Sequence, residues 1–140
     1  MEEYIMTIDE GTTSARAVLF NKDSEIIAIC AKEFAQYYPQ PGWVEQDPKE
    51  IWLTTKEVIN RVVLQAGIDP RQIKAAGITN QRETVVVYDK NTGEPVYNAI
   101  GWADRRTAPY CDELKAAGKE QMFIDKTGLL IDGYFSGTEI

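Results

Sequence analysis

The chain of 140 residues is long enough for one domain with a real core and too short for two comfortable ones, and its 44% hydrophobic and 26% charged residues are an ordinary soluble globular mixture. A net charge of −7 and a pI near 4.6 argue against a nucleic-acid or anionic-membrane surface, both of which need a basic face, so nucleic acid is not an expected partner. The absence of histidine removes Ser-His catalysis and histidine-ligated zinc, leaving carboxylates, arginines and backbone donors for any chemistry.

Residues 4–8 and 15–20 read as two strands joined by a turn of Asp9, Glu10, Gly11, Thr12, Thr13 and Ser14. Gly11 lets the backbone approach a ligand closely, and successive N–H groups beside the Thr12, Thr13 and Ser14 hydroxyls can hold phosphate oxygens. Asp9 ends an apolar strand, a usual position for a carboxylate that holds a metal ion through water. Gly-Thr-Thr-Ser is also ordinary hairpin chemistry. In so acidic a chain a bound phosphate needs local help from backbone amides, Mg2+ or Arg16.

After a turn at 21–24, residues 25–34 make a third strand with Ile27, Ile29 and Ala31 on one face, completing an antiparallel meander. The longest apolar run, 26–31, is far short of the ~20 residues that span a bilayer, and Met1-Glu2-Glu3 does not open a secretory signal. No membrane span is expected, and the expected location is cytoplasmic. The aromatic and proline-rich segment 37–43 is either a ligand wall or a loop packed by its own aromatics. Asp47-Pro48-Lys49-Glu50 is a helix start, with Asp47 as cap, Pro48 in the first turn and Glu50 as the reciprocal cap. Ile51, Thr55, Val58, Ile59, Val62 and Val63 share one helical face until Gly67. Residues 73–79 form a small-residue strand, buried and parallel to the first because a helix crossover connects them.

Asn80-Gln81-Arg82-Glu83 then sits at the carboxyl end of that strand, where open α/β sheets bind ligands. Strands at 84–88 and 96–100 flank a turn at 89–93, and Asp104 caps a helix running to about Ala117. Residues 127–135 read as an apolar loop ending in aromatics. Ser136-x-x-Glu139 has the capping-box pattern of a helix that should begin where the sequence stops, so the chain is expected to be a piece of a larger polypeptide. Cys30 and Cys111, in a strand and a helix, lack metal-like spacing and are expected as buried free thiols.

A polyol offers donors and acceptors on adjacent carbons and one thin apolar edge; a site for one needs a forked donor, a carboxylate and a flat apolar wall. Arg82, Glu83 and Trp102 are those residue types. Singly, Arg82 and Glu83 also read as a solvated charge pair, and Trp102 as core. A phosphate turn combined with a polyol pocket suggests phosphoryl transfer, in which protein groups position reactants and stabilise charge. The chain contains neither a P-loop, a Rossmann fingerprint nor a protein-kinase glycine-rich loop.

Five blocks resemble the glycerol kinases: Asp-x-Gly-Thr-Thr-Ser-x-Arg from Asp9, Tyr-Pro-Gln-Pro-Gly-Trp-Val-Glu from Tyr38, Gly-Ile-Thr-Asn-Gln-Arg-Glu-Thr from Gly77, Asn-Ala-Ile-x-Trp-x-Asp-Arg-Arg-Thr from Asn98, and Tyr-Phe-Ser-Gly-Thr from Tyr134. The resemblance covers the whole chain in register. It implies an α/β fold with an RNase H-like, actin-like ATPase core, in which residues 1–140 are the amino-terminal part of the first, glycerol-binding domain and the second domain is absent. It implies that Arg82, Glu83, Trp102 and Tyr134 contact glycerol, that Thr12, Thr13, Ser14 and Arg16 face the phosphates of ATP, and that Asp9 lies near Mg2+. The catalytic base of such a kinase is expected outside this chain, so residues 1–140 alone are expected to have little or no activity; the expected partners are glycerol, ATP and the remaining part of the kinase or a homo-oligomer.

Some positions depart from the pattern of these kinases. Glu10 stands where Gln is usual, Gly101 and Ala103 flank Trp102 where Val and Gln are usual, and Gly133 and Glu139 replace a usual proline and lysine. A carboxylate at Glu10 repels phosphate unless it turns away. Two other readings stand beside the kinase: a non-catalytic truncated domain that keeps the fold, and a related sugar kinase.

Overall fold

The computed structural model describes residues 2–140, which form two compact units, residues 2–35 with 47–81 and residues 36–46 with 82–140. In chain order the elements are β1 (Tyr4–Glu10), β2 (Ser14–Asn21), β3 (Ile26–Glu33), β4 (Glu45–Gln46), α1 (Pro48–Ala66), a 3-10 turn (Pro70–Gln72), β5 (Ile73–Asn80), β6 (Ala99–Ile100), α2 (Ala108–Ala116), α3 (Glu120–Thr127) and a second 3-10 turn (Ser136–Thr138). Among the described residues no helix is long and apolar enough to cross a membrane.

The first unit is a four-stranded sheet, ordered β3-β2-β1-β5, with α1 packed on one face. Strands β1, β2 and β3 are the expected antiparallel meander, and β5 returns parallel to β1 after the α1 crossover. Period-two alternation sends Tyr4, Met6 and Ile8 of β1 and Ala15, Ala17 and Leu19 of β2 to the buried face, in register as Ile8 opposite Ala17 and Met6 opposite Leu19. Val58 and Val62 of α1, both fully buried, close the core over them. Two local signals set the ends of α1. Asp47 is extended and accepts from the Lys49 N–H at 2.8 Å, while Gly67 takes a left-handed φ of 65° and returns its N–H to the Leu64 carbonyl. The Glu50 carboxylate accepts from the Ala35 N–H at 3.1 Å, tying the first turn of α1 to the end of the meander.

Of the expectations for this sheet, one is met and one is corrected. Ile27, Ile29 and Ala31 do share a face of β3, but it is the exposed one, and Ala28 with Cys30 faces the core. Alternation defines two faces without saying which is inside; α1 decides that. Strand β5 is parallel to β1 as expected yet exposed from Lys74 to Asn80, with Ile78 at 73% exposure, because it is the edge strand of this sheet. Cys30 is buried and free, as is Cys111 of the second unit.

The second unit has little regular structure and is organised by β4, which pairs antiparallel with β6. The expected strands at 84–88 and 96–100 reduce to β6 and to isolated bridges, Val85 with Ile100 and Tyr88 with Pro95. The helix expected from Asp104 starts at Ala108, and Thr107 at its N-cap makes no side-chain cap bond. Residues 120–127, unassigned from periodicity, form α3. Ser136 does not begin a capped α-helix; it opens the second 3-10 turn, with Phe135 at the N-cap. The Asp104 carboxylate and the Ser136 hydroxyl meant for those caps are engaged elsewhere, in the site described next.

Candidate functional site

In the first unit, Asp9 and Arg16 stand directly opposite each other in the β1–β2 ladder, and Asp9 is also in register with Thr79 of β5. Opposite residues of an antiparallel pair have Cβ atoms about 5 Å apart on the same face. That face is the one turned away from α1, since Ile8, Ala15 and Ala17 occupy the core side. Arg16 is exposed, as is Thr13 at the tip, while Thr12 and Ser14 are partly covered. The Gly11 N–H is spent on the Ser14 carbonyl at 2.9 Å, and a Cβ on Gly11 would meet that oxygen at 3.2 Å. Glycine thus lets the turn close, while any phosphate must use other donors of the tip. Glu10, the suspect residue of this stretch, points to the helix side, where its Oε1 accepts from the Thr55 hydroxyl at 3.1 Å. Alternation carries it off the Asp9 face, which removes the expected repulsion. Asp9 offers a single carboxylate, and among the described residues no group of three Asp, Glu, Cys or His side chains could hold a metal ion.

In the second unit, three of the four residues expected to meet a polyol are brought together. The rings of Trp102 and Tyr134 meet edge to face, centroids 5.8 Å apart, and Phe135 stacks edge-on behind Tyr134 at 5.1 Å. Trp102 is anchored through its N–H to the Thr84 hydroxyl at 3.3 Å, and the Tyr134 N–H donates to Asp132 at 2.8 Å. Glu83 has a φ of 64°, unusual for a side chain of its kind, and its Oε2 accepts from the Ser136 N–H and hydroxyl at 3.4 and 3.3 Å. Arg82 is exposed beside it. The Gly101 N–H donates to the Val44 carbonyl at 2.9 Å, so backbone pairing supports Trp102 on the side where a bulky neighbour is missing. A cavity of about 420 Å³, lined mostly by apolar groups such as Tyr110, Leu114, Phe123 and Leu130, also reaches Glu83 and Ser136.

A buried charge cluster beneath this wall went unread in the sequence. Arg106 donates from Nη2 to Glu45 and to Asp104, both at 2.8 Å, and from Nε to Asp104 at 3.0 Å. Asp104 also accepts the Arg106 N–H at 2.7 Å and the Val44 N–H at 2.6 Å, which is why it does not cap α2. Glu45 accepts further bonds from Tyr97 at 2.8 Å and Asn98 at 2.9 Å. Burial pushes both carboxyls up, but these donors outweigh it and hold Glu45 and Asp104 below their ordinary values. Arg106 is raised in turn: burial lowers it, and the bonds to Asp104 and Glu45 prevail. Two of the matched sequence blocks supply these groups, yet Val44 and Asp104 are sixty positions apart. No local spacing signals such a pair.

Glu139 lies by the same cluster. Both its carboxylate oxygens are buried with no hydrogen-bond partner. Burial first, then the charges of Asp104 and Glu83, raise its pKa to about 7, against the lowering effect of Arg106.

Comparison with known proteins places these units in context. The model for the N-terminal domain of the FGGY family of carbohydrate kinases matches residues 4–140. The chain is 58% identical to the glycerol kinase of Chromobacterium violaceum over 139 residues, covering 99% of this chain and 28% of that protein. It is 57% identical to the glycerol kinase of Geobacillus kaustophilus, covering 100% and 28%. Among solved structures, Plasmodium falciparum glycerol kinase with ADP superposes with a TM-score of 0.89 at 31% identity, over 99% of this chain and 28% of that one. The mixed sheet, with one parallel pair after a helix crossover, and this superposition bear out the expected α/β fold of actin-like ATPase type. The chain thus spans 28% of the length of the relatives it matches.

Proposed function

This chain belongs to the FGGY family of carbohydrate kinases, and from that premise we propose that it is the amino-terminal part of the glycerol-binding domain of a glycerol kinase, which converts ATP and glycerol to ADP and sn-glycerol 3-phosphate. The observation that carries the substrate is the Glu83, Trp102 and Tyr134 arrangement. Ser136 fixes one carboxylate oxygen of Glu83 and leaves Oε1 to accept from a hydroxyl, while the two rings, meeting edge to face, form an apolar corner for the carbon edge. Arg82, exposed and forked, supplies donors to neighbouring hydroxyls.

Thr12, Thr13, Ser14 and Arg16 are the residues that face the phosphates of ATP in this reading. Asp9 is the residue that would hold Mg2+ through water, a role one carboxylate can fill because this ion keeps several of its waters. Mg2+, when bound, neutralises charge on the transferred group. The residues of this chain orient glycerol and cradle phosphate; the base that takes the glycerol proton belongs to the rest of the kinase. The cytoplasm is the location this reading implies for the protein.

The test is a phosphoryl-transfer assay with glycerol, xylulose and gluconate on the natural-length polypeptide that carries residues 1–140, alongside calorimetry with glycerol on the same protein and on Arg82→Ala. Glycerol should be the preferred acceptor, and Arg82→Ala should lose most of the binding heat. Preference for xylulose or gluconate would sink the substrate assignment.

A further inference from the structure

We infer that Glu139 is a positioning residue for Glu83: neutral, it lets the Ser136–Thr138 turn close on the Glu83 carboxylate, and ionised, it drives that turn away, so polyol affinity falls as pH rises. The inference deepens the glycerol-site reading of Glu83 and rests on it.

The geometry starts from an unsatisfied group. Both Glu139 oxygens are out of water and make no hydrogen bond, a costly arrangement for a carboxylate and a far milder one for a neutral acid. The charged groups that face it are Glu83, from the segment after β5, and Asp104 and Arg106, from the loop before α2. Two of the three repel an anion. The single cation is already committed, because Arg106 donates to both Asp104 and Glu45. Ionised Glu139 must therefore compete for Arg106 or move towards water.

Movement of Glu139 reaches Glu83 through one turn of backbone. The Glu139 N–H donates to the Ser136 carbonyl at 3.0 Å, and Ser136 in turn holds Glu83 through the two long bonds of 3.4 and 3.3 Å. The other tether of the turn is the Thr138 hydroxyl, which donates to the Thr107 hydroxyl at 3.0 Å and lies 3.9 Å from the Cys111 thiol. Among the described residues no ionic bond retains the turn, so its weakest link is the pair of long Ser136 bonds that orients the Glu83 carboxylate. With a pKa of about 7, Glu139 crosses from neutral to charged within the physiological range.

Two readouts separate this device from the function it serves. The first is the Ser136 amide signal in 1H–15N NMR of the natural-length protein, followed from pH 5.5 to 8.5. It should titrate with a midpoint near 7 in the wild type and stay flat in Glu139→Gln, the uncharged isostere. The second is glycerol affinity, which should be roughly five- to tenfold weaker at pH 8 than at pH 6 in the wild type. It should be independent of pH in Glu139→Gln and also in Glu139→Lys, whose amine pairs with Glu83 and Asp104; the second variant serves if the first folds poorly. A flat Ser136 signal in the wild type, or the same titration in both variants, overturns the inference. A Ser136 titration in a protein that binds no glycerol at any pH supports the turn device and overturns the glycerol reading instead.

Discussion

The guanidinium carbon of Arg106 lies 3.7 Å from the ring centroid of Trp43 while the same group is bonded to Glu45 and Asp104. One cation thereby joins the aromatic connector, β4 and the loop that carries Trp102. Its side chain is 13% exposed, and those of Glu45 and Asp104 are 4% and 1% exposed. Such a site tolerates loss of a partner badly. Arg106→Met should cost about 3–5 kcal/mol by leaving two buried carboxylates unpaired. Arg106→Lys should recover less than half of that, because an ammonium lacks both the planar fork and the face that covers Trp43. Urea unfolding followed by tryptophan fluorescence checks both, and a loss below about 1 kcal/mol for Arg106→Met would show that the cluster is not the anchor described.

The acid side of the stability profile follows from the same cluster. Glu45 and Asp104 are held below their ordinary values of 4.5 and 3.8, so they bind fewer protons folded than unfolded. Their contribution is therefore present above those values and is lost as pH falls below them. Glu139 has the opposite sign. Raised from 4.5 to about 7, it contributes stability that is complete below about 4.5 and is lost as pH rises through about 7. The two trends meet near the unfolded carboxyl range, so stability should peak near pH 4.5 and fall on either side, with the alkaline decline running to about pH 7. Thermal melts across pH should show the alkaline limb disappear in Glu139→Gln while the acid limb remains.

The two faces of the meander should answer differently to truncation. Leu19 is fully buried under α1, and Leu19→Ala should cost about 2–5 kcal/mol. Ile29, 45% exposed on the other face, should change stability by no more than about 0.5 kcal/mol as Ile29→Thr. Equal losses in chemical denaturation would mean that both faces are buried in solution.

Glu83 holds a left-handed backbone, which costs a side chain of its type about 1–2 kcal/mol. Asn adopts that conformation more readily, so Glu83→Asn should leave stability within about 0.5 kcal/mol of the wild type despite the lost bonds to Ser136. Glycerol binding should weaken by about 1.5–3 kcal/mol, or ten- to a hundredfold, with the charged acceptor gone. Melting temperature and calorimetry on the one variant separate the two effects. Unchanged glycerol affinity would remove Glu83 from the site.

Much of the first unit was determined by sequence alone. Asp47, Pro48 and Gly67 bound α1 through contacts within four residues, the alternation of β1 and β2 sets their pairing, and a helix crossover makes β5 parallel to β1. Each of these rests on near neighbours along the chain, where a residue's type already limits its conformation. What only the tertiary structure decided was direction and partnership. It chose Ala28 and Cys30 over Ile27 and Ile29 as the core side of β3, and turned Glu10 towards Thr55. It withdrew Asp104 and Ser136 from helix caps to serve Val44 and Glu83. Those choices join groups 45 to 60 positions apart or depend on which face a helix covers, and hydrogen bonding between distant buried groups outweighs local preference there.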